Sequence, residues 1–294
     1  MSKLFTRGSS RGKINNSGVS RKCLCSIWLY NYTSYHILLF LLKVTVIIIN
    51  SIKDKLEKST NHSNPFIGVD ELGNDWFVKT YFSKSGHETN ALFNELVAFK
   101  LAEKIGLPWP KGHLVQFSES VKSELNVSTS HFIAYEFMHN LEELPEGYQF
   151  SNNQIKNLYG KSIFDNWLSI GDVKNDTCKL LNGELLFMDA GIAFEDDNCE
   201  AWGEDGLIWT ENKLFIESSP YHRGVLHSAE EYKSWMDKIC EIPVEFYQSI
   251  ADSIPQDWHV PESYKLKFVE VFSSSCERFI PMMKSCIEWE LNHQ

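Results

Sequence analysis

Apolar and polar positions alternate from Asp75 to Phe82, with Trp76, Val78 and Thr80 on one face and Phe77, Lys79 and Tyr81 on the other, which predicts a β-strand. From Asn90 the period becomes helical. Leu92, Leu96, Phe99 and Ala102 form an apolar stripe running to Ile105, Gly106 and Pro108 supply the stop, and Glu95 lies beside the stripe. A second helix is expected over 152–170, capped by Ser151, with Ile155, Leu158, Tyr159, Ile163 and Trp167 three to four residues apart. Asn182-Gly183 separates two short apolar runs, Cys178 to Leu181 and Leu185 to Met188, in the manner of a β-hairpin. Further on, Ser228 and Glu231 form a candidate capping box ahead of a stripe of Tyr232, Trp235, Met236 and Ile239. A last helix is expected from about Glu262, carrying Leu266, Val269, Phe272, Cys276, Phe279 and Ile280 and bent or broken at Pro281.

Four charged side chains fall at notable places in this pattern. Lys79 lies on the strand, Glu95 on the following helix, Asp172 ahead of the predicted hairpin and Asp189 just after it. Each alone has an ordinary reading, as a solvated lysine, a helix flank or a turn-forming aspartate. Their order suggests more. Phosphoryl transfer asks a protein mainly to position phosphates and neutralise their charge, with a lysine on a rigid element, a carboxylate to hold that lysine, and carboxylates for Mg²⁺ and for the acceptor.

At these positions the sequence resembles the HipA-like kinase family. The resemblance spans about Val44 to Phe194 and is carried by the Val78-Lys79 strand, by Asn94-Glu95-Leu96-Val97-Ala98 leading to Ile105-Gly106-Leu107-Pro108-Trp109-Pro110, by Phe164-Asp165-Asn166-Trp167, and by Met188-Asp189-Ala190-Gly191-Ile192-Ala193-Phe194. It implies an α+β, two-lobed, protein-kinase-like fold, with a small β-rich N-lobe holding one helix over residues 44–138 and a mainly helical C-lobe over 139–294. ATP and Mg²⁺ would bind between the lobes. By the same resemblance Lys79 holds ATP phosphates with Glu95 as its partner, and Asp172 is the catalytic-loop aspartate that orients the acceptor. Asp189 is the metal ligand, and the strand from Phe132 to Met138 pairs with adenine near Glu136 and Met138. Gly68 to Gly73 stands where a phosphate-covering loop belongs, although two glycines so spaced suit a plain hairpin turn better. The expected activity is transfer of the γ-phosphate of ATP to a protein serine or threonine or another hydroxyl. One position departs from the pattern: Thr177 stands where a second, metal-binding asparagine is usual, with Asn175 and Asp176 as the nearest substitute oxygen donors. A pseudokinase acting as a binding or regulatory module, and a small-molecule phosphotransferase, are the alternatives.

Composition narrows the partners. The chain has 294 residues, 43% of them hydrophobic, and a net charge of −11. Its first fifty residues carry seven basic side chains and no acidic one, so the remainder stands at −18, which argues against nucleic acid as a partner of the main domain. The apolar run Ile37 to Ile49 is about 13 residues, short of the roughly 20 that span a bilayer, and Lys43 interrupts it. The resemblance implies a first strand at Val44 to Ile49, so the expectation is that strand after a poorly ordered leader, 1–43, that need not belong to the functional protein, with membrane anchoring through 28–49 as the alternative. Seven cysteines with no framework of spacings suggest a reducing, cytoplasmic setting, and no Cys/His set has zinc-like spacing. The acidic residues from Glu195 to Asp205 read as an exposed loop, and the chain shows no internal repeat or low-complexity segment.

Overall fold

The computed structural model describes residues 46–56, 63–81, 88–170, 177–191, 193–194 and 226–293. Five strands close into a barrel in the order β1-β2-β3-β5-β4: β1 Ile47–Lys55, β2 Phe66–Asp70, β3 Asp75–Lys79, β4 Gly112–Phe117 and β5 His131–Glu136. All neighbours are antiparallel except β1 and β4, whose parallel pairing closes the ring. Closure leaves no open sheet edge in this part of the chain.

Period-two alternation fills the barrel. Ile49, Phe66, Val78, Val115, Phe117, Phe132 and Ala134 are buried, with Phe117 stacked on Phe132 at 4.0 Å and edge-on to Phe66 at 5.6 Å. Gly68 is needed here, since a Cβ at that position would lie 2.6 Å from Ile49 Cγ2. The turn after β2 is a plain hairpin. Asp70 accepts from the Leu72 and Asn74 amides and from the Trp76 indole, and Gly73 takes φ +83°.

The opposite face of β3 and β5 receives helix α1, Glu88–Ile105. The predicted stripe understates this helix. Leu92 through Phe99, Leu101, Ala102 and Ile105 are all buried, so α1 is enclosed on every side through its middle turns and exposed near its end, at Glu103 and Lys104. It ends as predicted at Gly106 (φ +72°), with Leu107 N–H donating to Ala102 O and Gly106 N–H to Glu103 O. A short helix absent from the sequence reading, α2 Glu119–Leu125, follows β4 and is capped by Ser118.

The rest of the chain pairs a small sheet with helices. Strands β6 Leu141–Glu143, β7 Cys178–Leu181 and β8 Glu184–Phe187 form an antiparallel sheet in that order. Its β7–β8 hairpin turns at Asn182 and Gly183, both at positive φ, as the dipeptide predicts. Helix α3, Asn152–Trp167, opens with a reciprocal capping box between Ser151 and Gln154. It stops three residues earlier than expected, because Ser169 turns to φ +49° and Ile170 N–H reaches back to Asp165 O. The helices α4 Ala229–Cys240, α5 Val244–Asp252, α6 Glu262–Ser273 and α7 Phe279–His293 complete the described chain.

Three expectations are corrected in this region. Ser228 caps α4 through its hydroxyl, but its own N–H is taken by Tyr159 Oη at 2.8 Å, so the box with Glu231 does not close. The last helix is two helices, divided not at Pro281 but at Ser273-Ser274-Ser275, whose hydroxyls bond the carbonyls of Glu270, Val271 and Phe272. Pro281 sits in the first turn of α7, where a missing N–H costs nothing. Cys240 and Cys276 are disulfide-bonded, with Cα atoms 5.2 Å apart. They lie 36 residues apart in sequence, so spacing gave no sign of the pair, and the cysteine count no longer argues for a reducing compartment. Among the described residues no helix is long and apolar enough to cross a membrane. Of the apolar run beginning at Ile37, the part from Ile47 to Ile49 belongs to β1.

Helices α3 and α4 meet at Gly160. A Cβ there would lie 2.5–2.7 Å from the Trp235 ring, and that indole is pinned by its N–H bond to Lys156 O. Gly160→Ala is therefore expected to cost about 2 kcal/mol in spite of alanine's better helix propensity. A urea-unfolding midpoint equal to wild type would show that the two helices can slide apart freely.

Candidate functional site

Lys79 is the last residue of β3, and its register against Ile133 of β5 turns its side chain toward α1. There its ammonium meets Glu95 Oε1 in a salt bridge, with Asp189 Oδ1 at 3.1 Å and Tyr81 Oη at 3.4 Å. The Lys79 side chain is 8% exposed, Glu95 0% and Asp189 61%, so a buried pair opens outward onto a solvent-facing carboxylate. Burial opposes the lysine's charge, and the carboxylates of Asp189 and Glu95 outweigh it, holding Lys79 protonated above the ordinary lysine range. Three of the four charged residues singled out in the sequence are thus brought together.

A buried carboxylate is costly unless its lone pairs are satisfied. Those of Glu95 are. Besides Lys79, Oε1 accepts from Tyr81 Oη at 2.6 Å and from Ala190 N–H at 3.4 Å, and Oε2 accepts from Tyr135 Oη at 2.5 Å. Burial, and after it the charge of Glu95, pushes both phenols well above the usual tyrosine range, so they stay protonated donors. Tyr81 achieves this in an uncommon backbone conformation for an aromatic residue, φ +48°, with the Thr80 and Tyr81 amides both donating to Ser63 O. Sequence reasoning placed Tyr81 on the Lys79 face without giving it a role. Tyr135 could not have been found that way, since its position depends on how β5 registers against β3.

Asp189 follows β8. Phe187 N–H donates to Pro108 O and Met188 N–H to Thr177 O, which fixes the approach to Asp189, itself at φ +72°. Beyond it Gly191 passes so close to Tyr81 that a Cβ would lie 2.2 Å from the phenol oxygen, and only glycine fits. Asn94, next to Glu95 on α1, donates through Nδ2 to Gly191 O at 3.0 Å and Ala193 O at 2.6 Å.

Other sequence candidates lie apart from this cluster or outside the described residues. Glu136 closes β5 with its carboxylate 60% exposed, 3.7 Å from His113 Nε2. Pairing continues past the strand end through Phe137 N–H to Asp75 O, and Met138 follows half-buried. Thr177 is 2% exposed and its carbonyl receives Met188 N–H. Asp172, Asn175 and Asp176 lie outside the described residues, as do the acidic residues 195–205. The helix leading toward residues 171–176 holds a feature the sequence reading passed over: Lys161 and Asp165, four apart on α3, form a fully buried ion pair. Burial raises the Asp165 carboxyl although Lys161 opposes the shift. The pair also lies close to Cys178, whose thiol burial pushes up to about 12.

Among the described residues no three His, Cys, Asp or Glu side chains gather in a way that could hold a metal alone. Asp189 presents an exposed carboxylate, a hard oxygen donor of the kind that would fit Mg²⁺, which takes one or two carboxylates together with waters and substrate phosphates.

A mixed α+β architecture with a buried strand lysine, a helix glutamate and an aspartate after a hairpin fits a kinase-like fold. The HipA-like kinase family model matches residues 49–289, and the chain belongs to that family; its class is that of the kinase-type phosphotransferases. Among solved structures, the chain is similar to a Helicobacter pylori proinflammatory kinase, CtkA, at a TM-score of 0.50 and 13% identity, covering 83% of this chain and 99% of that one. The Golgi casein kinase with Mn/ADP bound matches at a TM-score of 0.43 and 10% identity, over 84% of this chain and 74% of the other. HipA of Shewanella oneidensis MR-1, in its toxin–antitoxin complex with HipB and operator DNA, matches at 0.38 and 13% identity, over 81% and 68%. No curated protein sequence is significantly similar to this chain.

Proposed function

We propose that this protein transfers the γ-phosphate of ATP to a hydroxyl group, that of a protein serine or threonine or of another acceptor. The observation that carries this reading is the junction of Lys79, Glu95 and Asp189, which three separate elements bring to one point. Lys79 binds and orients phosphate oxygens, and Glu95 keeps the ammonium from collapsing into other contacts. The phenols of Tyr81 and Tyr135 keep Glu95 in place, and Asp189 is the protein's carboxylate for Mg²⁺. The metal, when bound, neutralises charge on the transferring phosphoryl group. Water is kept from the inner side of the lysine by α1, so its charge acts in a low-dielectric setting where electrostatic stabilisation is strong. Asp172 positions the acceptor hydroxyl, and the backbone from Glu136 to Met138 holds adenine. The site then lies between two lobes, residues 44–138 and 139–294.

The departure at Thr177 favours a second reading, a pseudokinase whose main business is binding. One experiment separates the two. Thermal shift with ATP and Mg²⁺ is expected to stabilise the wild-type chain, and Asn175→Ala or Asp176→Ala, whichever residue supplies the replacement oxygen, is expected to lower phosphotransfer by about one to two orders of magnitude, as a loss of about 1.4–2.7 kcal/mol of transition-state stabilisation would. No shift with ATP and Mg²⁺ in a well-folded chain would sink the phosphotransferase reading. That outcome would support the pseudokinase, as would wild-type activity in both alanine variants beside a sharp gain in Thr177→Asn.

A further inference from the structure

Granting the metal-binding role proposed for Asp189, we infer that Asn94 is the positioning residue that sets the direction of its carboxylate. Asn94 is 1% exposed and touches neither the lysine nor the outward face of Asp189 in any bond described above. Its influence runs through the backbone. Asp189 and Phe194 both adopt left-handed conformations, φ +72° and +64°, which are unfavourable for a non-glycine residue. A turn strained at both ends keeps its shape only where its surroundings hold it.

The entry to the turn is held by the Met188 amide on Thr177 O, and the exit by Phe194 N–H on Leu168 O at 2.9 Å. Between them Ala193 N–H closes on Ala190 O at 3.0 Å, and the Ala190 amide leans on Glu95. The carbonyls of Gly191 and Ala193 then point at α1. A carboxamide is the neutral side chain that offers two N–H donors from one atom, and Asn94 spends both on these two carbonyls. Its other end supports the same conclusion: Oδ1 is buried with no partner among the described residues. Burying an unpaired oxygen is unfavourable, so the amide's contribution at this position is its donor end. The close passage of Gly191 over Tyr81 shows how tightly the turn is drawn onto the helix. Asn94 and Glu95 are adjacent on α1, so one helix fixes both the partner of the lysine and the backbone that carries the aspartate.

The test uses the full chain with ADP and Mn²⁺ as probes. Asn94→Asp keeps the size and replaces the donor by an oxygen facing two carbonyls; Asn94→Ser leaves room for a bridging water and keeps the test readable should the first variant fail to fold. Calorimetry measures ADP affinity with and without Mn²⁺. Removal of an outer partner of a metal ligand is expected to reduce the Mn²⁺-supported gain in ADP affinity by about tenfold or more, while metal-free ADP binding stays within about twofold of wild type. A wild-type gain in the variants overturns the role of Asn94. So does a proportional loss with and without metal, which marks general loosening. If the wild-type chain itself shows no Mn²⁺-supported gain, the phosphotransferase reading falls and takes the role of Asn94 with it, an outcome distinct from failure confined to the variants.

Discussion

Lys79→Met is expected to abolish phosphotransfer and also to destabilise the protein, two effects that a second substitution separates. The ammonium bridges Glu95 and Asp189 at the point where phosphate charge is proposed to lie. Losing a preorganised charge of that kind costs about a thousandfold or more in rate. The stability effect follows from burial. Glu95 is 0% exposed, and without the lysine its carboxylate keeps, among the described residues, the two phenols and one amide as donors. Breaking a buried pair from one side typically costs about 3–5 kcal/mol, because an uncompensated charge remains. Adding Glu95→Gln removes that charge, so the double variant is expected to recover most of the unfolding free energy and none of the activity. Denaturant unfolding and a phosphotransfer assay on the two single variants and the double variant measure both quantities. Turnover in Lys79→Met at the wild-type rate would remove the lysine from the mechanism, and an unchanged unfolding midpoint would show that the fold bears the loss of the ion pair without cost.

Asp189→Asn is expected to do the reverse, with a large loss of metal-supported nucleotide binding and little loss of stability. Its side chain is 61% exposed, and Lys79 retains Glu95 when it is altered, so the change in unfolding free energy should stay within about 1 kcal/mol. A neutral amide is a poor ligand for a hard dication, and phosphotransfer should fall about a hundredfold or more through loss of metal-borne charge neutralisation. Asp172→Asn, altering a residue proposed to serve the acceptor, should leave nucleotide affinity close to wild type while lowering turnover. Equal loss of Mn²⁺-supported ADP affinity in the two variants would show that the two aspartates have been given the wrong roles.

These two substitutions differ because the site joins a buried half to an exposed half, and only the folded chain reveals which residue lies in which. In the sequence Lys79 is one lysine on a short strand and Glu95 one glutamate beside a stripe. Neither carries a mark of burial, since burial of a charge depends on what packs over it. The stripe on α1 was legible as a helix face, yet the pattern suggested a surface helix. Asn94 lies on the side opposite the stripe and Glu95 beside it, and in the structure both are enclosed because the turn after Asp189 covers the one and the strands β3 and β5 the other.

The sequence by itself determined the local elements and the order of the charged residues. Caps and turns are written in a few adjacent side chains, as at Ser151 with Gln154, at Asn182-Gly183 and at Gly106, and local hydrogen bonding suffices to realise them. The resemblance carried by Lys79, Glu95 and Asp189 likewise pointed to the family to which the chain belongs. Tertiary structure alone decided what those residues touch. The bonds of Tyr135 and Asn94, separated by tens of residues from the groups they hold, and the pairing of Cys240 with Cys276 arise from strand register and helix packing. The same holds where a local rule was overridden: Tyr159 takes the amide that a capping box at Ser228 would have used, because α3 packs against the start of α4 and brings the buried tyrosine's hydroxyl to it.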